Sequence, residues 1–241
     1  MEGILVTTTA SALDERRLPG TEDFVHTRFW WVRHAPVTSD GGKIYGQRDL
    51  PGDTHEAWKY LALAQALPTG AHWIVTSLRR TRDTADAILA AGYPAASTIQ
   101  YEVSPALMEQ NLGDWQGQDR AAFFERVKPS PSAYWFAPPE ERAPNGESFV
   151  DLCNRVTGAV SEIAKRLRGR DVVIVAHGGT IRAALGMALG LPPAGPLAFA
   201  TDNCAITRLD YLDDTRDSGW RVHTVNHQPW IGATPADSKP A

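Results

Sequence analysis

Short apolar runs and longer amphipathic segments alternate along this chain. Runs of β-branched and aromatic residues predict strands, and apolar residues recurring three and four positions apart predict helices. The predicted order is strand 27–33, helix 54–67, strand 72–76, helix 78–91, strand 98–102, helix 119–127, helix 148–168, strand 171–176, helix 180–190, strand 203–211 and strand 219–225. This alternation predicts an α/β protein, a three-layer α/β/α sandwich with a mostly parallel central sheet.

The clearest helix is expected after Ser148. Ser148 and Asp151 have the spacing of a capping box, and Gly169 supplies a stop signal. An apolar stripe runs between them, which predicts a core-facing helix without a functional role. The stripe consists of Leu152, Val156, Val160, Ile163 and Leu167.

Three predicted strands deliver basic side chains at their carboxyl ends. Arg33 and His34 close the first strand, and His177 closes strand 171–176. Arg80 follows strand 72–76, in the first turn of a helix that Thr76 or Ser77 is expected to cap. Ligands of open α/β sheets bind at this edge, and a helix N-terminus favours phosphate. Two arginines and two histidines are therefore expected to surround one dianion.

Five motifs occur in the order and spacing of a known family. They resemble the histidine phosphatase superfamily, with its phosphoglycerate mutase-like fold, over residues 28 to 212. The resemblance implies a phosphoryl-transfer enzyme that uses no metal and no cofactor. The motifs are Arg33-His34, Ser77-Leu78-x-Arg80 with Thr84-Ala85, Leu107-x-Glu109 with Gly113-x-Trp115-x-Gly117, Gly146-Glu147-Ser148, and His177-Gly178-Gly179-x-x-Arg182.

The resemblance gives each site residue an expected role. His34 is the candidate nucleophile, because a neutral imidazole can attack phosphorus through one nitrogen while the other donates a hydrogen bond. Arg33 and Arg80 are expected to grip the phosphate oxygens, and a protonated His177 would add a third cationic donor. Glu109 stands at the family's acid position and would protonate the leaving group.

Some positions depart from the family's usual sequence. Ala35-Pro36-Val37 follow the first histidine, and Asp40 stands where the family often has Asn. Because a carboxylate would repel phosphate, we expect Asp40 to point outward or its loop to differ in length. Ser77 and Asp83 replace the family's Pro and Gln and should alter the helix entry more than the chemistry. Arg182 is expected to be a structural ion-pair partner.

The motif sequences favour a phosphatase over a mutase. His177-Gly-Gly-Thr-Ile-Arg182 and Gln110-Asn-Leu-Gly113 differ from the usual mutase strings. The motif Leu107-x-Glu109-x-x-x-Gly113-Asp-Trp-x-Gly117 and the later Gly146-Glu147-Ser148 are similar to α-ribazole phosphatases and broad-specificity phosphatases. Two alternatives stay open: a phosphoglycerate mutase-type phosphotransferase and a catalytically idle phospholigand-binding domain. A dinucleotide site is not expected, since no G-x-G-x-x-G follows a strand.

Substrate choice is expected to depend on residues 118–147. This segment carries the aromatic triplet Tyr134, Trp135 and Phe136. The triplet is a candidate lid that would stack on a ring-bearing leaving group, and the alternative is that it caps the core.

Chain length, charge and composition limit the number of domains and the class of partner. The 241 residues suit a single domain with a core of about residues 27–226 and irregular arms. A net charge of −4 without a lysine-rich run favours a small phosphorylated metabolite as the partner, and neither nucleic acid nor a membrane. No apolar run approaches the roughly 20 residues of a membrane span. Cys153 and Cys204 are expected to be buried and unpaired. The protein is expected to be cytoplasmic. Oligomeric state stays open, a homodimer included.

Overall fold

The computed structural model describes residues 24–126, 135, 137–213 and 218–231. Short 3₁₀ turns at Ala96–Thr98, Pro105–Leu107, Gly113–Trp115 and Gly195–Ala198 join some of the elements. The strands and helices are β1 (Val25–Arg33), α1 (Ala57–Ala66), β2 (His72–Val75), α2 (Arg79–Ala90), β3 (Glu102–Val103), α3 (Arg120–Arg126), α4 (Phe149–Arg166), β4 (Asp171–Ala176), α5 (Gly178–Leu189), β5 (Ile206–Asp213) and β6 (Ser218–His227).

The strands form one mixed sheet in the order β3-β2-β4-β1-β5-β6. The first four are mutually parallel, and β5 runs antiparallel to both of its neighbours. The register pairs Arg33 with Ala176 and Val75 with Val175. The carboxyl ends of β1, β2 and β4 therefore meet at one edge, and the predicted mostly parallel sheet is confirmed.

Helices cover both faces of the sheet. In β4, Val172, Ile174 and Ala176 belong to a buried cluster with α4 and α5. Val173 and Val175 alternate with them and belong to a second cluster with α1 and α2. This two-sided burial explains the continuous apolar sequence of β4 and gives the predicted α/β/α layers.

The start of α4 has the expected capping box. The side chain of Ser148 accepts a hydrogen bond from the Asp151 N–H, and the Asp151 carboxylate accepts one from the Ser148 N–H. All five residues of the predicted apolar stripe are buried in the first cluster. Both predictions for this helix are confirmed.

Three local predictions are wrong. Strand 98–102 is reduced to Glu102–Val103, because a 3₁₀ turn occupies Ala96–Thr98. Cys204 lies outside any strand, with a left-handed φ of 65°, and it is buried beside Tyr60. Helix α2 has Leu78 as its N-cap without a side-chain cap, so neither Thr76 nor Ser77 caps it.

A third, smaller apolar cluster lies apart from the two main ones and includes residues that line the candidate site. Its members are Ile44, Leu112, Trp115, Phe123, Ala137 and Ala143. They come from the loop after β1, from α3 and the segment before it, and from the approach to α4, so this cluster packs three parts of the chain together. Among the described residues, no helix combines the length and the apolar character needed to cross a membrane.

Candidate active site

His34 lies directly after β1 and is almost fully buried. Its backbone N–H donates to the Ala176 carbonyl (2.9 Å), and its own carbonyl accepts from Asn203 Nδ2 (2.7 Å). Ring atom Nδ1 lies 2.6 Å from the Ala35 carbonyl oxygen, which can only accept, so Nδ1 carries the proton. The opposite nitrogen, Nε2, is therefore unprotonated, and its electron pair accepts a hydrogen bond from Arg80 Nε (3.3 Å).

His177 follows β4 and faces His34. The two ring centroids are 5.1 Å apart, and His177 Nε2 lies 3.0 Å from Thr76 Oγ1 at the end of β2. Nδ1 of His177 is buried and has no hydrogen-bond partner in the described part of the chain. A buried polar atom of this kind is costly, and it marks a place where a ligand can supply the missing partner.

Both imidazoles are neutral in this environment. Burial lowers the pKa of His34 well below its ordinary value, and the charges of Arg80 and Arg33 lower it further. The same causes lower the pKa of His177. The expectation of a protonated His177 therefore needs a correction: only a bound dianion, whose charge raises that pKa, could make it a cation.

Arg80 is completely buried at the start of α2. Its Nη2 donates to the Gly46 carbonyl (2.8 Å), its Nη1 to the Arg48 carbonyl (3.0 Å), and its Nε points at His34 Nε2 (3.3 Å). Burial lowers the pKa of this guanidinium. Carbonyl oxygens fix its position without neutralising its charge, so that charge remains available to an anion.

Arg33 is held in a similar way at the end of β1. Its Nη1 donates to the Thr201 carbonyl at 2.5 Å, whereas its buried Nε has no partner among the described residues. None of the ion pairs formed by those residues includes Arg33. An anion near His34 would provide the acceptor that Nε lacks.

Glu109 reaches the same place from the other side. Its Oε1 accepts from the Gln110 N–H (3.0 Å), and its Oε2 accepts from the Gly179 N–H in the first turn of α5 (3.3 Å). A Cβ on Gly179 would lie 2.3 Å from Glu109 Oε1, so only glycine leaves room for the carboxylate in this position. The structure thus brings Arg33, His34, Arg80, Glu109 and His177 together.

A cavity of about 180 Å³ opens beside these groups. Arg33, Glu109, Gly178 and Gly179 belong to its lining, and most of the other lining residues are apolar or aromatic. The other lining residues are Ile44, Tyr45, Gly46, Gln110, Leu112, Arg120, Phe124, Trp135 and Arg182.

Trp135 is half-buried on the wall of this cavity. Its ring lies 5.6 Å from that of Phe149 and 5.4 Å from Arg182 Cζ. It therefore packs on the core, as one alternative expected, and also lines the cavity. Stacking on a leaving group stays a prediction. Tyr134 and Phe136 lie outside the described residues.

The structure also locates Asp40, which departs from the family's usual sequence, and Arg182, the last residue of the fifth motif. Asp40 pairs with Arg120 and accepts the Gly42 N–H, and it is not among the residues that line the cavity. Arg182 is not the predicted ion-pair partner: its Nε donates to the Phe199 carbonyl (2.9 Å), and no carboxylate of the described residues pairs with it. It belongs to the cavity wall instead.

The motif glycines bring backbone against backbone. A Cβ on Gly113 would lie 2.0 Å from the Pro144 carbonyl oxygen, and one on Gly146 would lie 2.4 Å from the Asn111 carbonyl oxygen. Gly113 also has a left-handed φ of 43°. These two glycines therefore allow the segment after Glu109 to pack directly against the segment before α4. The described residues contain no group of His, Cys, Asp and Glu arranged to hold a metal ion.

Comparison with known proteins identifies the family. The sequence profile of the histidine phosphatase superfamily (branch 1) matches residues 29–228. The chain belongs to this superfamily. The resemblance of its five motifs is thereby confirmed.

The relatives of this superfamily member include phosphatases and mutases. The probable phosphoglycerate mutase GpmB of Klebsiella pneumoniae is 28% identical over 211 residues, 86% of this chain and 95% of that protein. A metal-independent phosphoserine phosphatase of Arabidopsis thaliana is 28% identical over 211 residues, 83% of each chain. A mycobacterial glucosyl-3-phosphoglycerate phosphatase structure has a TM-score of 0.70 and 28% identity, covering 84% of this chain and 99% of that one. The fold is shared by a putative Escherichia coli α-ribazole-5′-phosphate phosphatase. That structure has 18% identity and a TM-score of 0.63, covering 84% of this chain and 97% of its own.

Sequence reasoning missed the residues that brace this histidine phosphatase site. Arg155 of α4 donates to the carbonyls of Ala106 (2.8 Å) and Met108 (3.0 Å) and pairs with Glu147. It thereby fixes the segment that carries Glu109. Arg155 lies eight positions after Glu147. The one signal in the sequence was Glu147 itself, a motif carboxylate that needs a basic partner.

Proposed function

We propose that this protein is a metal-independent phosphomonoesterase that hydrolyses a small phosphorylated metabolite through a phosphohistidine at His34. One observation carries the proposal. The His34 ring donates its Nδ1 proton to the Ala35 carbonyl and keeps Nε2 unprotonated next to Arg80, whose charge no carboxylate of the described residues neutralises. A neutral nucleophile beside a buried cation is the arrangement that attack on a phosphate dianion requires.

The first step transfers the phosphoryl group to the enzyme. Nε2 of His34 attacks phosphorus, the bond to the ester oxygen breaks, and the leaving alkoxide takes a proton from Glu109. Arg33 and Arg80 bind the non-bridging oxygens, where charge-assisted hydrogen bonds are of the stronger class. His177 holds the third oxygen once the dianion has raised its pKa.

The second step returns the enzyme to its starting state. Glu109, now a carboxylate, removes a proton from water, the water oxygen attacks the phosphohistidine, and the N–P bond breaks to release orthophosphate. Glu109 thus serves first as acid and then as base, as microscopic reversibility expects. Its two hydrogen bonds to backbone N–H groups orient it for both steps.

The relatives support a phosphatase and keep the mutase as the second candidate. A phosphoserine phosphatase and a glucosyl-3-phosphoglycerate phosphatase are both 28% identical to this chain, as is the probable phosphoglycerate mutase. The likeness to α-ribazole phosphatase supports the fold alone, so that substrate is one member of the panel below. A mutase would interconvert phosphoglycerates after priming by a bisphosphate instead of releasing orthophosphate.

The test follows turnover of p-nitrophenyl phosphate in EDTA. His34→Asn should abolish turnover and acid-labile labelling by the phosphoryl group. His55→Asn is the matched control, because His55 is exposed outside the cavity. A His34→Asn enzyme with wild-type turnover, or a wild type that EDTA inactivates, would contradict the proposal. Lack of any turnover by the wild type on a panel of sugar, glycerate, serine and nucleoside-type phosphates would favour the idle binding domain.

A second experiment addresses Glu109. Glu109→Gln keeps the shape of the side chain but can no longer donate or accept the proton. It should slow alkyl esters by about 10²- to 10⁴-fold and p-nitrophenyl phosphate much less, since p-nitrophenolate leaves without a proton. Equal losses for both kinds of ester would show that Glu109 only shapes the site.

A further inference from the structure

Arg182 is a basic group of the cavity to which the proposed chemistry assigns no role. It lies in the second turn of α5, its Nε donates to the Phe199 carbonyl, and its Cζ lies over the Trp135 ring, 5.4 Å from the centroid. These two contacts fix the guanidinium and leave Nη1 and Nη2 without a hydrogen-bond partner in the described part of the chain. Arg182 is therefore preorganised to bind a group inside the cavity.

Arg182 and Arg33 face each other across a gap at Gly178. A Cβ on Gly178 would lie 3.3 Å from Arg182 Nη1 and 3.5 Å from Arg33 Nε, so a single added methyl group would touch both guanidiniums. Burial and the charge of Arg33 lower the pKa of Arg182, and the charges of Glu109 and Asp202 oppose this shift without cancelling it. Two like charges with restricted solvation are unfavourable together, and a bound anion removes that cost.

The charges around the cavity do not balance when only a phosphate is considered. A phosphate dianion matches Arg33 and Arg80, and Arg120 is already paired with Asp40. Glu109 binds two backbone N–H groups and, in the proposed first step, is protonated when the ester enters. Among the cavity arginines, Arg182 is thus the one whose charge neither an ion pair of the described residues nor the phosphate neutralises, and it is available for a further negative charge.

We propose that Arg182 binds a carboxylate of the substrate, and that the substrates of this enzyme are small phosphomonoesters with a carboxylate close to the ester oxygen. This inference rests on the proposed function for the position of the phosphate. The cavity of about 180 Å³ limits the size of the ligand. Pockets for larger organic ligands are about 300–1,000 Å³, so this smaller cavity favours a compact phosphorylated acid.

The experiment uses pairs of esters that differ by one carboxylate. Phosphoserine is compared with phosphoethanolamine, and 3-phosphoglycerate with glycerol 3-phosphate. Wild-type kcat/KM should favour the carboxylated member of each pair by about 10- to 100-fold, as expected for one bidentate charge-assisted contact. Arg182→Gln should bring that ratio close to one, and Arg182→Lys should restore part of it.

Arg120→Gln is the matched control, since it removes another cavity arginine whose charge Asp40 already neutralises. Its carboxylate preference should stay at the wild-type value. The proposal is overturned if wild type shows no preference, if Arg120→Gln removes the preference instead, or if Arg182→Gln lowers both members of a pair equally. Competition between glycerate and p-nitrophenyl phosphate in the wild type, absent with glycerol, provides a readout that needs no variant.

The two proposals fail in different ways. If His34→Asn keeps its turnover, the phosphohistidine mechanism is wrong, whereas the wild-type ratio within each ester pair still measures the carboxylate contact. If turnover needs His34 but the two members of each pair react at equal rates, the phosphatase proposal is supported and the proposed role of Arg182 is wrong.

Discussion

The two buried histidines should make the folded protein less stable as the pH falls from 7.5 to 5.5. In the unfolded chain each imidazole has a pKa near 6.5, whereas in the folded protein burial and the neighbouring arginines hold the pKa values of His34 and His177 well below that. Between these values the unfolded chain binds more protons than the folded one. Acid therefore stabilises the unfolded state, and the folded protein loses stability as the pH drops through 6.5.

The size of the effect follows from proton linkage. Each histidine that stays neutral in the folded protein contributes a loss of about 1.4 kcal/mol between pH 7.5 and 5.5, so that the pair contributes about 2.7 kcal/mol. Against a total of about 5–15 kcal/mol, this change is easy to measure. Asp40, Asp151 and Glu102, whose pKa values are lowered, titrate at a more acidic pH and contribute little in this window.

The pH dependence of the free energy of unfolding is measured by urea unfolding in phosphate-free buffer at pH 7.5, 6.5 and 5.5. Tryptophan fluorescence reports the unfolding. His34→Gln and His177→Gln should each remove about half of it, and the double variant nearly all. The exposed His55 has its pKa raised by Asp53, so it works in the opposite direction, and His55→Gln should leave the dependence at least as steep. If the double variant is as sensitive to pH as the wild type, the buried imidazoles are not its cause.

Three further changes test the packing around the site. Gly179→Ala should displace the Glu109 carboxylate and slow alkyl esters more than p-nitrophenyl phosphate, whereas Gly158→Ala, with open space around it, should leave kinetics unchanged and stabilise by up to about 1 kcal/mol. Arg155→Met should lower the free energy of unfolding by about 2 kcal/mol, since a partly buried carboxylate and several carbonyls lose their donor. Trp135→Ala should raise KM for carboxylated esters by about five-fold, or about 1 kcal/mol, while inhibition by inorganic phosphate persists.

The sequence predicted the elements whose signals are local. The capping box at Ser148, the continuous apolar run of β4 and the basic residues at strand ends all follow from short-range patterns. Because parallel strands end at a common edge, these patterns also predicted that Arg33, His34 and His177 would meet. Strand 98–102 was wrong although Ile99 and Tyr101 alternate with polar residues, because a 3₁₀ turn occupies Ala96–Thr98 and pairing with β2 begins only at Glu102.

Side-chain hydrogen bonds between residues far apart in the sequence had no such signal. Asn203 binds the carbonyl of His34 across 169 positions, and Thr76 binds His177 across 101. Each contact depends on how loops pack after the sheet has formed, and a polar residue in a loop has many equally plausible partners. Arg182 was misassigned for the same reason, since its partner is the Phe199 carbonyl and not a carboxylate.

The type of partner separates two classes of arginine in this protein. Arg155 and Arg120 pair with the carboxylates of Glu147 and Asp40, so their charges are already balanced. Arg33, Arg80 and Arg182 are instead held by carbonyls, which orient a guanidinium but leave its positive charge in place. With a net charge of −4, the whole chain does not attract anions, and the attraction must come from these local, unbalanced charges. Glu109 shares the cavity but is bound to backbone N–H groups instead of pairing with an arginine. An additional carboxylate that forms an ion pair with one of the three should therefore weaken anion binding, even where all the arginines remain.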